Sequence, residues 1–299
     1  MISLIDPSLQ DHSGAPSTNL GDVVIFRAIA RLLRLLLPGE TIHRISSHEP
    51  LQAEHFELLS ASRLVVFGGS NLLSSDVLVY NQWHLGDAPS DYERIRFDNG
   101  VLFGVGWWQY QGPVTRYTSQ FYRRILSGRG LHSVRDGYTE GKLREAGVEN
   151  VVNTGCPSMW SLDGIVSNRQ LLRTEDCLLM LTDYYTNPKE DEALVSLLLQ
   201  EFEGTIYYFP QGTGDIEYLR SLPCYRLHMR RFEILEHSLA SAETLMETQS
   251  ITYVGTRLHG GILALNHRVP TLITGVDNRS LEMARDFYLP VIPRKELKA

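Results

Sequence analysis

An arginine and a histidine lie two residues apart where a predicted strand passes into a helix, at Arg257 and His259. The unpaired amides of a helix start favour an anion. The planar guanidinium of Arg257 suits phosphate or carboxylate, and His259 can transfer a proton near neutral pH. A cation in the first turn opposes the helix dipole by about 0.5 kcal/mol, which indicates a reason beyond folding. The alternative is an ordinary helix start with a surface arginine and a half-buried histidine.

Two other polar turns also precede predicted helices. In the segment that begins at Ser133, Arg135 is predicted to point into a ligand cleft, and Ser133 or Asp136 to cap the helix. The alternative is a structural salt bridge between Arg135 and Asp136. The segment Asn19-Leu20-Gly21-Asp22 opens the first long helix, with Asp22 favoured as its cap; Asn19 could instead hydrogen-bond a substrate oxygen.

A glycine turn and an aromatic segment complete the candidate site. Gly68, Gly69 and Ser70 follow an apolar strand, and glycine there allows a ligand to approach the backbone. Three rings, of the kind that often line ligand sites, follow another strand and are candidate contacts for a sugar: Trp107, Trp108 and Tyr110. The alternative is that one or both tryptophans pack at a domain interface.

The elements that must position these residues alternate between short apolar strands and longer amphipathic segments. This rhythm predicts an α/β fold of mostly parallel sheets, in which ligands bind beyond the carboxyl ends of the strands. We expect two Rossmann-like domains facing a cleft, at residues 1–160 and 174–299, joined by a connector at 161–173. The last helix is a candidate to pack back on the first domain. Short helices are also predicted at Phe232–Leu239 and Ala242–Glu247.

Composition excludes several classes of protein. With 28 Lys and Arg against 35 Asp and Glu, the net charge of −7 excludes a general nucleic-acid binder. The three cysteines form no C-x-x-C pair, and no cluster has metal-ligand spacing, so neither a metal nor a cofactor is expected. No apolar run approaches the ~20 residues of a membrane span, and the first residues lack signal-peptide features. We therefore expect a cytoplasmic protein, with peripheral association at the inner membrane face left open.

Taken in order, these segments resemble the polysaccharide pyruvyl transferase family. The matching islands are an N-x-G-D turn, a glycine turn after the third strand, an S-x-R-D segment, a G-x-P segment and a late R-x-H motif. They fall at Asn19–Asp22, Gly68–Gly69, Ser133–Asp136, Gly155–Pro157 and Arg257–His259. The resemblance spans about residues 19–290 and rests on short islands.

The resemblance implies a GT-B-like fold with phosphoenolpyruvate as donor and a pyruvate ketal on a glycan sugar as product. It also implies that Arg135, Arg257 and His259 serve donor binding and catalysis, and donor contacts are further expected at Gly68, Gly69, Ser70, Asn19 and Asp22. Whether the glycan acceptor is lipid-linked is left open. The alternatives are a GT-B nucleotide-sugar glycosyltransferase and a non-catalytic glycan-binding protein.

Overall fold

The computed structural model describes residues 1–11, 13–80, 83, 98–128, 130–162 and 174–297. The chain divides into two compact units. The first comprises Met1–Ser17 and Asp22–Ser158, and the second comprises Thr18–Gly21 and Met159–Ala299. The sequence had assigned 18–21 to the first half, and residues 163–173 of the predicted connector lie outside the described residues.

The first unit is built on parallel strands. Strands β1 to β4 form one sheet in the order β2-β1-β3-β4, and β5 pairs with β6. An isolated parallel bridge between Val105 and Val134 continues the sheet toward β5. The strands are β1 (Ile2–Asp6), β2 (Ile42–Ser46), β3 (Leu64–Gly68), β4 (Gly100–Phe103), β5 (His132–Val134) and β6 (Val151–Asn153).

Helices connect these strands, as the alternating apolar pattern predicts. They are α1 (Leu20–Leu36), α2 (Ala53–Ala61), α3 (Arg116–Ile125) and α4 (Gly137–Glu145). Helix α1 buries Ile25, Ile29 and Leu33, which lie three to four residues apart and so share one helical face. The first long helix, predicted to open at the Asn19 turn, is therefore confirmed over Leu20–Leu36.

The second unit contains a six-stranded sheet in the order β12-β11-β10-β7-β8-β9, and every pairing in it is parallel. Counted within the unit, this is the 3-2-1-4-5-6 order of a doubly wound Rossmann sheet, whose strand order reverses between β7 and β10. The strands are β7 (Asp176–Met180), β8 (Ile206–Tyr208), β9 (Phe232–Ile234), β10 (Ile251–Gly255), β11 (Thr271–Gly275) and β12 (Val291–Pro293).

The helices of this unit lie between successive strands. They are α5 (Pro188–Glu201), α6 (Asp215–Ser221), α7 (Pro223–His228), α8 (Leu239–Thr248), α9 (Leu258–Asn266) and α10 (Asn278–Phe287). The last of them, α10, contacts β11 and β12 of its own unit. Single 3-10 turns occur at Pro157–Met159, Met229–Arg231 and Arg294–Glu296. No helix within the described ranges is long and apolar enough to cross a membrane.

One predicted helix is wrong. Phe232–Leu239 begins as strand β9, in which Phe232 and Ile234 pair with Ile206 and Tyr208 of β8. Alternate apolar residues can fit a short helix or a strand, and pairing with a neighbouring strand decides between them. The helix predicted at Ala242–Glu247 is confirmed and extends over Leu239–Thr248, where the Ser238 hydroxyl accepts a hydrogen bond from the Ser241 amide.

Candidate active site

The switch point of the second sheet brings together the loops that follow β7 and β10. The Thr256 amide donates to the Met180 carbonyl over 2.8 Å, and the Thr182 amide donates to the Thr256 hydroxyl over 2.8 Å. Because the two strands are parallel neighbours, their carboxyl ends open at the same edge of the sheet, where ligands of such folds bind. Arg257 and Asp183 are the next residues along these two loops.

Arg257 is buried and held by two carboxylates. Its side chain is 2 % exposed, and it forms ion pairs with Asp183, at 3.0 Å, and with Asp215. Nε donates to Asp215 Oδ2 over 3.1 Å, and the guanidinium lies 4.8 Å from the centre of the Tyr184 ring. Nη1 makes no hydrogen bond with any residue in the described part of the chain.

These contacts explain how a cation is tolerated at a helix start. Arg257 occupies the N-cap position of α9, where the helix dipole favours negative charge. The carboxylates of Asp183 and Asp215 place that charge beside the guanidinium. The alternative interpretation, an ordinary helix start with a surface arginine, is therefore wrong, because Arg257 is buried.

Asp215 organises the loop after β8. Its side chain is fully buried, and its Oδ2 accepts hydrogen bonds from the amides of Gln211 and Gly212, each over 2.9 Å. Its Oδ1 accepts from the Asp183 amide over 3.2 Å. One carboxylate therefore joins three loops of the switch point, those after β7, β8 and β10.

His259 lies in the first turn of α9, at the same edge of the sheet, and is 6 % exposed. A Cβ placed on Gly21 would lie 3.3 Å from His259 Nδ1 and 2.6 Å from Gln211 Nε2, so a larger residue at this position would have to displace the Gln211 side chain. The Leu20 amide donates to the Gln211 carbonyl over 3.0 Å. The structure thus places the predicted Asn19–Gly21 turn beside the predicted histidine, with Gln211 between them.

Asn19, rather than Asp22, performs the capping role at α1. The Asn19 Oδ1 accepts from the Gly21 amide over 3.1 Å and lies 3.4 Å from Gln211 Nε2. Asp22 lies inside the first turn of the helix and therefore past the cap position. A carboxylate there interacts favourably with the helix dipole. The expectation that Asp22 caps the helix is wrong. Donor contacts from Asn19 and Asp22 stay predictions.

A second arginine lies near the first. Arg279, in the first turn of α10, donates through Nε to Asp277 over 2.7 Å and through Nη2 to the Tyr184 hydroxyl over 2.6 Å. Its guanidinium lies 5.6 Å from the Tyr184 ring centre. Burial alone would lower the pKa of Arg279, but the Asp277 carboxylate raises it above its ordinary value. Tyr184, itself half exposed, therefore contacts two permanent cations.

The glycines after His259 serve packing. A Cβ on Gly260 would lie 2.3 Å from Met180 Sδ, and one on Gly261 would lie 2.4 Å from Ile273 Cγ1. Helix α9 therefore lies directly on the strands, with its first turn fixed over the sheet edge. Burial raises the pKa of Tyr253, so its hydroxyl stays protonated and donates to the Arg257 carbonyl over 2.7 Å.

Arg135 lies in the first unit and is buried, at 1 % exposure. Its Nε donates to Asp136 over 3.2 Å, and its Nη2 donates to Asn71 Oδ1 and to the Trp107 carbonyl, the latter over 3.3 Å. Its guanidinium therefore joins the loops after β3, β4 and β5, and the expectation that Arg135 points into a ligand cleft stays a prediction. Asp136 caps α4 by accepting from the Thr139 amide over 2.7 Å, as predicted.

The glycine turn after β3 packs against α1. Gly69 has φ +67°, and a Cβ there would lie 2.4 Å from Ile25 Cγ2. Ser70, also left-handed at φ +59°, accepts from the Gly106 amide over 2.8 Å. Helix packing accounts for glycine at 69, and donor binding by Gly68, Gly69 and Ser70 stays a prediction.

The three aromatic candidates differ in exposure. Trp107 is fully buried and packs edge-on against Tyr122 at 5.9 Å, so its ring belongs to the core of the first unit and offers no face to a sugar. Trp108 is half-buried and lies 4.9 Å from the Tyr80 ring centre. Tyr110 is 54 % exposed. Trp108 and Tyr110 therefore retain the acceptor-side prediction.

Sequence reasoning read Pro210–Asp215 as a cleft loop but assigned no role to several polar residues of this site: Asp183, Tyr184, Gln211, Asp215, Asp277 and Arg279. Each follows the carboxyl end of a strand in the second sheet, which is the signal that could have identified them. Across the described ranges, no group of three or more His, Cys, Asp or Glu could hold a metal ion.

Comparison with solved structures shows the fold. The UDP-GlcNAc 2-epimerase of Methanocaldococcus jannaschii, in complex with UDP-GlcNAc and UDP, has a TM-score of 0.50 at 10% identity, covering 98% of this chain and 89% of that one. MnaA of S. aureus, in a co-structure with UDP, has a TM-score of 0.50 at 11% identity, covering 93% and 79%. These likenesses agree with the predicted α/β fold of two Rossmann-like domains.

A third solved structure, the heptosyltransferase WaaC of E. coli with ADP-2-deoxy-2-fluoro heptose, has a TM-score of 0.39 at 11% identity, covering 92% of this chain and 88% of that one. No curated protein sequence matches the chain significantly. A family model for polysaccharide pyruvyl transferases matches residues 19–278, from the Asn19 turn through the Arg257 and His259 helix start. The chain belongs to the polysaccharide pyruvyl transferase family.

Proposed function

We propose that this protein transfers the pyruvyl group of phosphoenolpyruvate to two hydroxyls of one sugar in a glycan, forming a pyruvate ketal. Family membership supports a transferase of polysaccharide pyruvylation; the donor and the ketal product are our proposal. The observation that carries it is the placement of Arg257 and His259 together at the switch point between β7 and β10, where ligands of doubly wound sheets bind.

The donor's anionic groups would bind at the start of α9. Amides in the first turn of a helix lack intrahelical partners and carry partial positive charge. Nη1 of Arg257 makes no hydrogen bond with a described residue and would complete the contact. Asp183, whose side chain is 34 % exposed, is the carboxylate that an incoming anion would displace more readily than the buried Asp215.

Arg135 stays a proposed second donor contact, and its support is the resemblance of the Ser133–Asp136 segment to the family pattern. In the structure its guanidinium is already bonded to Asp136 and Asn71. Donor binding by Arg135 would therefore require it to exchange one of these partners for the ligand.

The proposed reaction requires one acid close to the methylene carbon of the donor. His259 would protonate the methylene carbon of phosphoenolpyruvate, leaving an oxocarbenium-like centre at the adjacent carbon. A first sugar hydroxyl adds to that carbon and releases its proton, which returns to the histidine. Phosphate then leaves with the electron pair of its carbon–oxygen bond. The second hydroxyl adds to the same carbon and closes the ketal, and its proton passes to the phosphate. The sum is donor plus diol giving ketal plus hydrogen phosphate, with no oxidant or reductant.

The first experiment is a thermal unfolding comparison with phosphoenolpyruvate, UDP-sugars and no ligand. A ligand at 100 times its dissociation constant stabilises a folded protein by roughly 2.7 kcal/mol. We expect phosphoenolpyruvate alone to raise the melting temperature. A rise only with UDP-sugars would instead identify a nucleotide-sugar transferase, and a rise with neither would oppose the donor assignment.

A further inference from the structure

A short exposed segment in the second unit, at the end of α7 and the start of the 3-10 turn that follows it, combines positive charge with apolar side chains. Residues 226–230 read Arg-Leu-His-Met-Arg, and all five are exposed. Leu227 and Met229 are 79 % and 54 % exposed, among the most exposed large apolar residues of the described chain. We call residues 226–230 the basic-apolar turn.

The charge of this region is opposite to that of the protein as a whole. Residues 220–232 contain four arginines and no acidic residue, in a chain whose net charge is −7. The rest of the chain therefore carries −11, which is −7 minus the +4 of this segment. A cluster of one sign on a protein of the other attracts an oppositely charged partner.

Three of the four arginines of this region make no side-chain contact of their own with the described part of the protein. Arg220, Arg226 and Arg230 form no ion pair or side-chain hydrogen bond with any residue that the structure describes. Other exposed arginines do find carboxylates, as when Arg144 pairs with Glu140 at 2.9 Å and Arg63 with Glu40 at 3.3 Å. The unpaired guanidiniums are therefore available to an external anion.

The residues on both sides of the basic-apolar turn are anchored to the second unit. Cys224 is buried in the core of the second unit, and Tyr225 and Phe232 pack against that core. The Cys224 amide donates to Glu192 over 2.6 Å. Arg231, next in sequence, donates to the Gly204 carbonyl over 3.0 Å. The exposure of Leu227 and Met229 is thus fixed by the fold around them.

We propose that the basic-apolar turn docks this protein on an anionic lipid surface. Arginines bind lipid phosphates, and apolar side chains insert between headgroups. A polyanionic glycan would use the arginines but has no need of exposed leucine and methionine. A stable protein interface buries about 800 Å² on each partner, more than five side chains present. Docking would hold the enzyme where lipid-carried glycans are found, and it is independent of the donor assignment.

Vesicle co-sedimentation tests the proposal. Wild-type protein should sediment with vesicles of phosphatidylglycerol mixed with phosphatidylcholine, and not with phosphatidylcholine alone. Each arginine near an anionic surface contributes about fivefold to binding, so Arg226→Gln with Arg230→Gln should weaken binding by about 25-fold. Leu227→Asn with Met229→Asn should weaken it by about tenfold with no change of charge.

Matched controls separate this surface from a general charge effect. Arg116→Gln with Arg123→Gln makes the same charge change at exposed arginines elsewhere, and Leu131→Asn alters another exposed leucine, 63 % accessible. Both controls should bind as wild type does. All replaced side chains are exposed, so circular-dichroism melting should be unchanged in each variant, and phosphoenolpyruvate should shift every variant equally.

Three results would overturn the proposal. In the first, the wild-type protein does not bind anionic vesicles. In the second, the variants of the basic-apolar turn bind as well as the controls do. In the third, the wild-type protein binds neutral vesicles as well as it binds anionic ones. If the wild type ignores vesicles but binds heparin, and the paired arginine variant loses that binding, the turn is a site for anionic glycans instead. Donor-induced stabilisation is measured on the same samples, so failure of docking is distinguishable from failure of the proposed activity.

Discussion

The charge of Arg257 is balanced before any ligand arrives. Its guanidinium contacts Asp183 and Asp215, and only the first of these carboxylates has appreciable access to solvent. The buried guanidinium and its two carboxylate partners hold together the loops after β7, β8 and β10. His259, two residues on, is positioned by the same helix start.

Replacing His259 with alanine should lower turnover by about 10²–10⁴-fold, the usual contribution of a positioned acid or base. Folding should persist, since the loss is one polar ring at a sheet edge. Initial rates of phosphate release in the presence of acceptor measure the effect. His267→Ala, just past the other end of α9, is the matched control and should keep full activity. Near-normal turnover in His259→Ala would remove the histidine from the mechanism.

Replacing Asp183 with asparagine should tighten donor binding by about five- to tenfold, because one negative charge beside Arg257 is removed while a hydrogen-bond acceptor remains. Titration calorimetry with phosphoenolpyruvate measures the affinity. Glu217→Gln makes the same charge change on the exposed face of α6 and should leave affinity unchanged. If Asp183→Asn binds no more tightly than Glu217→Gln, the donor does not bind beside Arg257.

At the scale of the elements, strand β5 contains a buried histidine whose ring hydrogen-bonds to the backbone of neighbouring segments. His132 is fully buried; its Nε2 lies 3.1 Å from the Leu126 carbonyl, and its Nδ1 accepts from the Leu102 amide over 3.4 Å. This pattern requires the neutral ring with the proton on Nε2. Burial lowers the pKa of His132, although the Leu126 carbonyl opposes the shift.

The sign of the resulting pH dependence follows from linkage. Below an unfolded pKa of about 6.5 the unfolded chain binds a proton that the folded chain resists. The stabilisation is therefore complete above that pH and is lost as the pH falls toward the folded pKa, by at most about 1.4 kcal/mol per pH unit. Urea unfolding of wild type and His132→Gln at neutral and mildly acidic pH should show their difference in stability shrinking on acidification. A difference independent of pH would mean that the ring is not held neutral.

At the scale of the whole molecule, each of the two units contains a hydrophobic core built from its own residues. One includes Leu102 and draws only on residues of the first unit, and the other includes Leu179 and draws only on the second. Each of these leucines is fully buried. A unit with its own core can unfold in a transition of its own.

Scanning calorimetry should therefore resolve two transitions, with a van't Hoff enthalpy below the calorimetric one. Leu102→Ala and Leu179→Ala should each cost about 2–5 kcal/mol and should each lower a different transition. Phosphoenolpyruvate should raise the transition that Leu179→Ala lowers. If either variant moved both transitions together, the two units would unfold as one cooperative body.

Local pattern was enough to predict most of the fold. The alternation of short apolar runs with amphipathic segments predicted the parallel sheets, because burial on both faces of a strand and on one face of a helix leaves different periods. The order of short motifs similarly indicated the family and brought Arg257 and His259 forward as candidates. The strand at Phe232–Ile234 was missed, since three residues are too few to distinguish the two periods until β8 pairs with them.

Contacts between residues distant in sequence were decided by tertiary structure alone. Asp215 and Asp183 lie 42 and 74 residues from the arginine they hold, and Gln211 lies 192 residues from Asn19. The strand order of the second sheet brings these loops to one edge, and no local period specifies that order. The sequence by itself therefore determined most of the helices and strands and the chemical groups at their ends. Tertiary packing decided which charges neutralise one another and which arginines are buried, because burial and pairing depend on neighbours that only the folded chain supplies.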